Sequence, residues 1–394
     1  MNIQPLTAAN DAYSCELSII MPCLNEAETL GTCIKKAKDF IASENISAEV
    51  IVADNGSADG SQDIAKKYGA KVKNVTTRGY GAALMGGINH ASGKYVIFAD
   101  ADDSYNFRDL MPFLAKLRQG FDLVMGNRFK GGIEDGAMPP LHRYLGNPVL
   151  SGIGKLLYKS PVNDFHCGLR GFNRSKIQRL NLQTTGMEFA SEMVVKATMH
   201  NLKITEVPTT LSPDGRSHPP HLRSWRDGWR HLRFLMMHSP RWLFFYPGMF
   251  TLFLGLLLFM WLIPGAQTVG NITFDIHTML YGSMMVILGL QAMSFGLFAK
   301  LFTMGANILP RDDRIMRFVG AFTLERGIVL GLIVATSGFG ASIYAVTLWS
   351  GHDYGPLEPT EMMRVAIPSV TAMATGVQLV FISFFMGVLR LGEQ

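Results

Sequence analysis

The sequence predicts a two-part protein: an α/β domain built on a mostly parallel sheet, followed by an all-α membrane domain of four transmembrane helices. Three observations predict it. Short apolar runs alternate with helix-patterned stretches up to about residue 126, and four long apolar stretches follow residue 241. The charge is also divided. Of 36 basic and 31 acidic residues, only 7 and 8 lie among the 153 positions from Trp242 onward, leaving net charges of +6 before that point and −1 after it. The 394-residue chain is 48% apolar and 17% charged, against about 25% charged in soluble domains. Such apolar content excludes intrinsic disorder. Cys15, Cys23, Cys33 and Cys167 form no CxxC pair, which argues against a disulfide-stapled scaffold and reads as reduced thiols. Met1–Glu16 holds no basic segment leading into an apolar run, so no signal peptide is expected.

The elements of the first part follow in order. Residues 17–22 (LSIIMP) form an apolar strand ending in Pro22, and 29–44 have helical spacing. Residues 48–53 (AEVIVA) form a second strand, followed by the polar turn 54–60 and a helix over 61–68. A third strand covers Lys71–Val75, a helix 81–92, a fourth strand Lys94–Ala99 and a fifth Asp122–Gly126. Strands alternating with helices imply a mostly parallel sheet covered on both faces. Ligands of such sheets bind beyond the C-terminal strand ends. Those ends carry Asn25 and Glu26, then Asp54, then Asp100, Asp102 and Asp103. Asp100 and Asp102 are two residues apart, so two carboxylates face the same side and repel. A divalent cation relieves this, and Mg²⁺ characteristically bridges one or two carboxylates to substrate phosphates. A metal–diphosphate site is therefore expected.

The apolar stretches cover about 242–263, 279–302, 327–349 and 365–389, each near or above the ~20 residues a helix needs to span hydrocarbon. Lys300 and Arg390 sit at span ends, where long side chains are expected to snorkel. No span carries a charge at its centre, which argues against ion-coupled transport. The 264–278 loop has no Lys or Arg, the 303–326 loop has Arg311, Arg314, Arg317 and Arg326, and the 350–364 loop has only Arg364. This asymmetry predicts a multi-pass protein with both termini cytoplasmic. Just before the first span, Leu222, Trp225, Trp229, Leu232 and Met236 recur at helical spacing, with Arg223, Arg226, Arg230 and Arg233 one residue behind. That pattern predicts an interfacial helix whose arginines anchor to anionic lipid or bind a lipid phosphate. The expected divisions are 1–210 for the cytoplasmic catalytic domain, 211–241 for the interfacial region and 242–394 for the membrane domain.

Several motifs now stand in order: PCLNEAETL (22–30), VADNGSADGS (52–61), RGYGAAL (78–84), FADADDSY (98–105), MGNRF (125–129) and NDFHCGLRGFNR (163–174). Together they resemble the family 2 glycosyltransferases of GT-A fold, a Rossmann-like, mostly parallel architecture. More narrowly, the chain resembles polyprenyl-phosphate glycosyltransferases of the dolichol-phosphate mannose and glucose synthase group, in the subset with a four-helix C-terminal anchor. The resemblance implies inverting transfer of one sugar from a nucleotide sugar to a polyprenyl phosphate at the cytoplasmic face of a prokaryotic plasma membrane, for a cell-envelope glycan. UDP-glucose is favoured as donor over GDP-mannose and UDP-N-acetylhexosamines.

The resemblance also implies roles. Pro22, Asn25, Glu26, Asp54, Arg78, Gly81, Asp100 and Glu192 would contact the nucleotide sugar. Asp100 and Asp102 would hold Mg²⁺ or Mn²⁺. Family members often carry Gln where this chain has Ser104, and Lys where it has Tyr80; Arg78 could substitute for that Lys. Asp164, Arg170 and Asp103 would form the catalytic set. Asp164 would act as base, or would position the nucleophile or stabilise charge on the sugar. Arg170, Arg216, Arg223 and Arg226 would bind the lipid phosphate, since guanidinium pairs bidentately with phosphate. His166 and Cys167 lack zinc-ligand spacing and read as structural. The expected partners are the donor, the acceptor and the bilayer, with no nucleic acid. Gly327-x-x-x-Gly331 and Gly338-x-Gly340 offer faces for packing within the chain or in a homo-oligomer. Two other readings stay open. A processive polysaccharide synthase would carry Gln-x-x-Arg-Trp, but this chain has His238 before Arg241–Trp242. A non-catalytic membrane scaffold would not need to retain Asp54, Asp100 and Asp102.

Overall fold

In a computed structural model the chain divides into two units after Leu235; residues 13–217, 224–306 and 309–391 are described. The first unit is built on a seven-stranded sheet: β1 (Cys15–Cys23), β2 (Ala48–Asp54), β3 (Lys71–Asn74), β4 (Gly93–Phe98), β5 (Leu123–Asn127), β6 (Arg170–Asn173) and β7 (Ile204–Pro208). The order is β3-β2-β1-β4-β6-β5-β7. All pairings are parallel except those of β6, which runs antiparallel to β4 and β5. The mostly parallel α/β expectation is met, with β6 and β7 added. Neither has an apolar run: β6 reads RGFN and β7 ITEVP. Both are held by their neighbours in the sheet rather than by their own sequence.

β1 is buried along nearly its whole length because helices cover both sheet faces. Its alternation divides the core, with Leu17, Ile19 and Met21 in one cluster and Ile20 in the other. The helix Leu30–Ser43 turns Leu30, Cys33, Ile34, Ala37 and Phe40 into the first cluster, one face at helical spacing. Strand order reverses direction at β1, which has β2 on one side and β4 on the other. The ends of β1, β2 and β4 therefore line one crevice, where doubly wound sheets bind ligands.

The helix Ser224–Met237 buries Asp227, His231, Phe234 and Leu235. The tryptophan stripe is not its packed face, since Trp225 is 82% and Trp229 59% exposed.

The second unit has four helices long and apolar enough to cross a membrane: Arg241–Leu262, Ile276–Gly305, Leu324–Ser350 and Pro359–Leu389. Glycines let them approach in pairs. A Cβ on Gly248 would lie 2.8 Å from the Gly289 carbonyl oxygen, and one on Gly255 2.7 Å from that of Gly282. Likewise a Cβ on Gly331 would lie 2.7 Å from the Gly376 carbonyl, and one on Gly338 2.6 Å from that of Ser369. A Cβ on Gly327 would meet Ser383 Oγ at 2.0 Å. Three of the four glycines expected to pack helices are thus used within the chain, while Gly340 faces open space. Ser283 and Thr371 share a buried 2.6 Å hydrogen bond between the second and fourth helices.

Gly331→Leu forces the third and fourth helices apart and costs about 1–3 kcal/mol of overpacking. Gly340→Leu does not. Thermal unfolding in detergent should show a lowered midpoint for the first variant and a wild-type midpoint for the second.

Candidate active site

The β2 end is built around Asp54. Its Oδ2 accepts from the backbone N–H of Gly56 at 3.1 Å and Ser57 at 3.2 Å and from Gln62 Nε2 at 2.7 Å. Its Oδ1 is buried and has no hydrogen-bond partner among the described residues. A buried acceptor without a donor is costly, so this atom is suited to a ligand N–H. Asn55, not among the expected site residues, ties the next segment down: it donates to the Val75 and Thr77 carbonyls and accepts from Gly79 N at 2.7 Å. Pro22 is buried in β1 opposite Ala53. Asn25 sits at φ 58° and its Oδ1 accepts from Ala58 N at 2.9 Å, clipping the β1 loop to the β2 loop.

The β4 end carries the paired carboxylates. Asp100 Oδ1 accepts from the Tyr80 hydroxyl at 2.9 Å. Asp100 keeps some exposed surface, yet loss of hydration, then repulsion from Asp102, pushes its pKa up to about 6, against the Tyr80 hydrogen bond and Arg216. Asp102 Oδ1 accepts from Ser104 N at 3.1 Å and Ser104 Oγ at 2.6 Å. Ser104, standing where relatives often have Gln, therefore orients the second carboxylate. Gly168 comes against the pair, since a Cβ there would lie 2.3 Å from Asp100 Oδ2. Gly79 (φ +131°) and Gly81 are needed for a similar reason: a Cβ would lie 2.1 Å from the Thr185 carbonyl oxygen or 2.3 Å from that of Thr184. Gly81 thus serves close backbone packing at the start of the helix Tyr80–His90. Arg78, just before it, is exposed.

Arg216 supplies the counter-charge. Its guanidinium donates to Glu26 Oε1 and Asp102 Oδ2, both at 3.0 Å, and to Asp214 at 2.8 Å. Backbone bonds from Ser212 N to Ser104 O and Gly215 N to Asp102 O lay this segment along the β4 loop. Arg216, expected on a lipid phosphate, is instead a cation seated on the carboxylate edge.

Four other expected site residues are engaged by protein groups. Asp164 is 0% exposed, and both its oxygens are taken by Arg128, with Nε at 2.8 Å and Nη2 at 2.7 Å. In this arrangement the carboxylate serves to hold Arg128. Arg170 is 1% exposed and spends its guanidinium on the carbonyls of Cys167, Ala190 and Phe165. It opens β6 in the middle of the sheet, paired with Phe98 and Met125, and cannot reach a phosphate. Glu192 is buried, ion-paired with Lys196 at 2.7 Å, and accepts from Gln183 N, Thr184 N and Thr184 Oγ. Burial pushes its pKa up, but Lys196 and Thr184 outweigh this and hold it below the ordinary glutamate value. It positions the 183–184 segment rather than the donor. Asp103, at φ 63°, is paired with Lys36 at 2.7 Å and stands outside the Asp100–Asp102 pair. Arg226 is half-exposed beside Asp227 at 3.5 Å, and Arg223 lies outside the described residues. His166 is partly buried beside His231, ring centroids 4.5 Å apart, and Cys167 is buried.

Among the described residues no three His, Cys, Asp or Glu side chains converge. The protein itself thus offers a cation two carboxylates, Asp100 and Asp102, and Arg216 already stands as a positive charge on one of them. This donor set fits a hard divalent ion whose other ligands come from phosphate and water.

Residues 18–180 match the family model for glycosyl transferase family 2, and residues 297–390 match that for the glycosyltransferase family 2 C-terminal transmembrane region. A low-salt glycan biosynthesis hexosyltransferase of Haloferax volcanii is 35% identical over 98% of this chain and 92% of its own length. A dolichyl-phosphate hexose transferase of the same organism is 30% identical over 49% of this chain and 81% of its own. Among solved structures, glucosyl-3-phosphoglycerate synthase from Mycobacterium tuberculosis, in complex with Mn²⁺, UDP and glucosyl-3-phosphoglycerate, is 20% identical, with a TM-score of 0.44 over 57% of this chain and 78% of that one.

Asp164→Asn leaves the Arg128 guanidinium buried and half-paired, which costs about 3–5 kcal/mol. A strongly lowered thermal midpoint and poor yield are expected. A wild-type midpoint with lost activity would return Asp164 to the role of base.

Proposed function

The chain belongs to the family 2 glycosyltransferases, and from that premise we propose that it transfers one sugar, with inversion, from a nucleotide sugar to a polyprenyl phosphate. The observation that carries this reading is the edge formed by Asp54, Asp100 and Asp102, in a chain that also has four membrane-length apolar helices. Asp54 Oδ1, buried and unpartnered, accepts an N–H of the nucleotide base. UDP-glucose is the favoured donor, on the overall motif pattern. When bound at Asp100 and Asp102, Mg²⁺ or Mn²⁺ supplies positive charge against the leaving diphosphate. Arg216, seated on Glu26 and Asp102, adds positive charge at the same edge, and a guanidinium there suits diphosphate oxygens.

The reaction needs little proton transfer. A phosphate monoester has a second pKa of about 6 and is largely ionised at neutral pH. Its oxygen attacks the anomeric carbon, the bond from that carbon to the diphosphate oxygen breaks, and the electron pair leaves with the nucleoside diphosphate. Enclosure of Asp164 by Arg128 supports a mechanism without a protein base. The Lys/Arg asymmetry of the loops supports a cytoplasmic catalytic unit in a prokaryotic plasma membrane. The chain's likeness to a dolichyl-phosphate hexose transferase supports the lipid acceptor.

The test is a donor panel with purified full-length protein, undecaprenyl phosphate and Mn²⁺, read by mass spectrometry of the lipid. One hexose per lipid is expected; a polymer, or no lipid product from any donor, contradicts the reading. Asp54→Asn should raise the donor KM about tenfold or more, the worth of a hydrogen bond to a charged group. Asp102→Asn should lower kcat by about a hundredfold or more.

A further inference from the structure

The second unit contains a basic pair that the proposed chemistry does not use. Lys300 lies on the helix Ile276–Gly305, near its end. The residue is only 8% exposed, its side chain makes no hydrogen bond or ion pair among the described residues, and its Nζ stays open at the surface of the unit. An ionisable side chain near membrane depth with no protein anion on its ammonium marks a binding site or pathway.

The surroundings are built for an anion. One turn before Lys300, a Cβ on Gly296 would lie 3.1 Å from Phe245 N and 3.3 Å from Phe244 Cβ. The segment Arg241–Phe245 is therefore laid directly on this part of the helix. Arg241, which opens that segment, is ion-paired with Asp312. Burial pushes the Asp312 carboxyl up, but Arg241, the backbone N–H groups of Arg314 and Ile315, and Lys300 together hold it below the ordinary range. Both cations are thus in electrostatic reach of one carboxylate, and the cluster keeps an excess positive charge. It lies at the end of the membrane unit where the chain enters, beside the exposed Arg311, Arg314 and Arg317, with Trp242 and Tyr246 in edge contact at 5.1 Å next to it. Aromatic pairs of this kind sit at headgroup depth. A phosphate there gains an ammonium with open donors and a guanidinium that can form a bidentate pair.

We propose that Lys300 and Arg241 form a binding site for the phosphate headgroup of a membrane lipid, with polyprenyl phosphate as its ligand. This deepens the proposed function and rests on it for the identity of the lipid. It replaces the soluble-unit arginines: Arg170 is enclosed by carbonyls and Arg216 is engaged by Glu26 and Asp102. Asp312 is the residue that positions Arg241.

The experiment is native mass spectrometry of the detergent-purified full chain titrated with undecaprenyl phosphate or phosphatidylglycerol, with no sugar donor present. Lys300→Met should weaken undecaprenyl phosphate binding at least tenfold, and Lys300→Arg should restore most of it. The thermal midpoint of Lys300→Met should equal that of wild type, because the ammonium has no protein partner to lose. Equal loss for both lipids assigns the site to lipid phosphate in general; selective loss for undecaprenyl phosphate assigns it to the acceptor. Unchanged binding of both lipids overturns the proposal, as does a binding loss accompanied by a lowered midpoint that Lys300→Arg does not repair. Binding is read without turnover, so failure of the transfer reaction leaves this test intact.

Discussion

Two carboxylates, Asp100 and Asp102, are held at one strand end, and their mutual repulsion organises the crevice of the first unit. Loss of hydration and the neighbouring charge raise Asp100 to about 6, so the pair stays together only because other groups absorb the cost. The Tyr80 hydroxyl takes one oxygen of Asp100. Ser104 takes one oxygen of Asp102 and Arg216 the other. Glycines make room for this arrangement. Gly168 clears Asp100 directly, and Gly79 and Gly81 let the helix that carries Tyr80 close on the Thr184–Thr185 backbone. Glu192, two layers removed, fixes that backbone through Gln183 and Thr184. The edge is thus one connected device, in which structural residues matter to chemistry through the position of two oxygens.

Much of this was legible in the sequence. β1, β2, β4 and β5 are apolar runs, β1, β2 and β4 leading into polar clusters, and burial on both faces writes such runs plainly; β3, which reads KVKN, is a half-exposed strand at the sheet edge. The membrane helices are legible for the same reason. β6 and β7 are not, because RGFN and ITEVP owe their conformation to partners already in the sheet. The site residues divide in the same way. Asp54, Asp100 and Asp102 follow strands and were readable from position. Asp164, Arg170 and Glu192 were read from residue type, which states what a side chain can do and not what it touches. Arg128, 36 positions before Asp164 in the chain, carried no signal of being its partner. The Arg170 carbonyl cage forms only when β6 enters the sheet.

Arginines show the limit most clearly. A guanidinium suits a phosphate, a carboxylate or a set of carbonyls equally well. In this chain Arg216 takes carboxylates, Arg170 takes carbonyls and Arg128 takes Asp164. Lys300 shows the reverse case. Gly296 brings the Arg241–Phe245 segment onto its helix and the residue is largely buried, yet its ammonium takes no protein partner. Small residues thus decide which charges are buried, both in the sheet domain and among the membrane helices.

The central claim is that the Asp100–Asp102 edge is a cation site at which Arg216 competes with the cation for Asp102. Mn²⁺ binding to the full-length protein without nucleotide, measured by electron paramagnetic resonance of the free ion, tests it most directly. Arg216→Ala removes the resident positive charge and should bind Mn²⁺ at least tenfold more tightly than wild type, and adding Asp102→Asn should abolish the gain. Equal Mn²⁺ affinity in wild type and Arg216→Ala, or a gain that survives Asp102→Asn, would contradict the account.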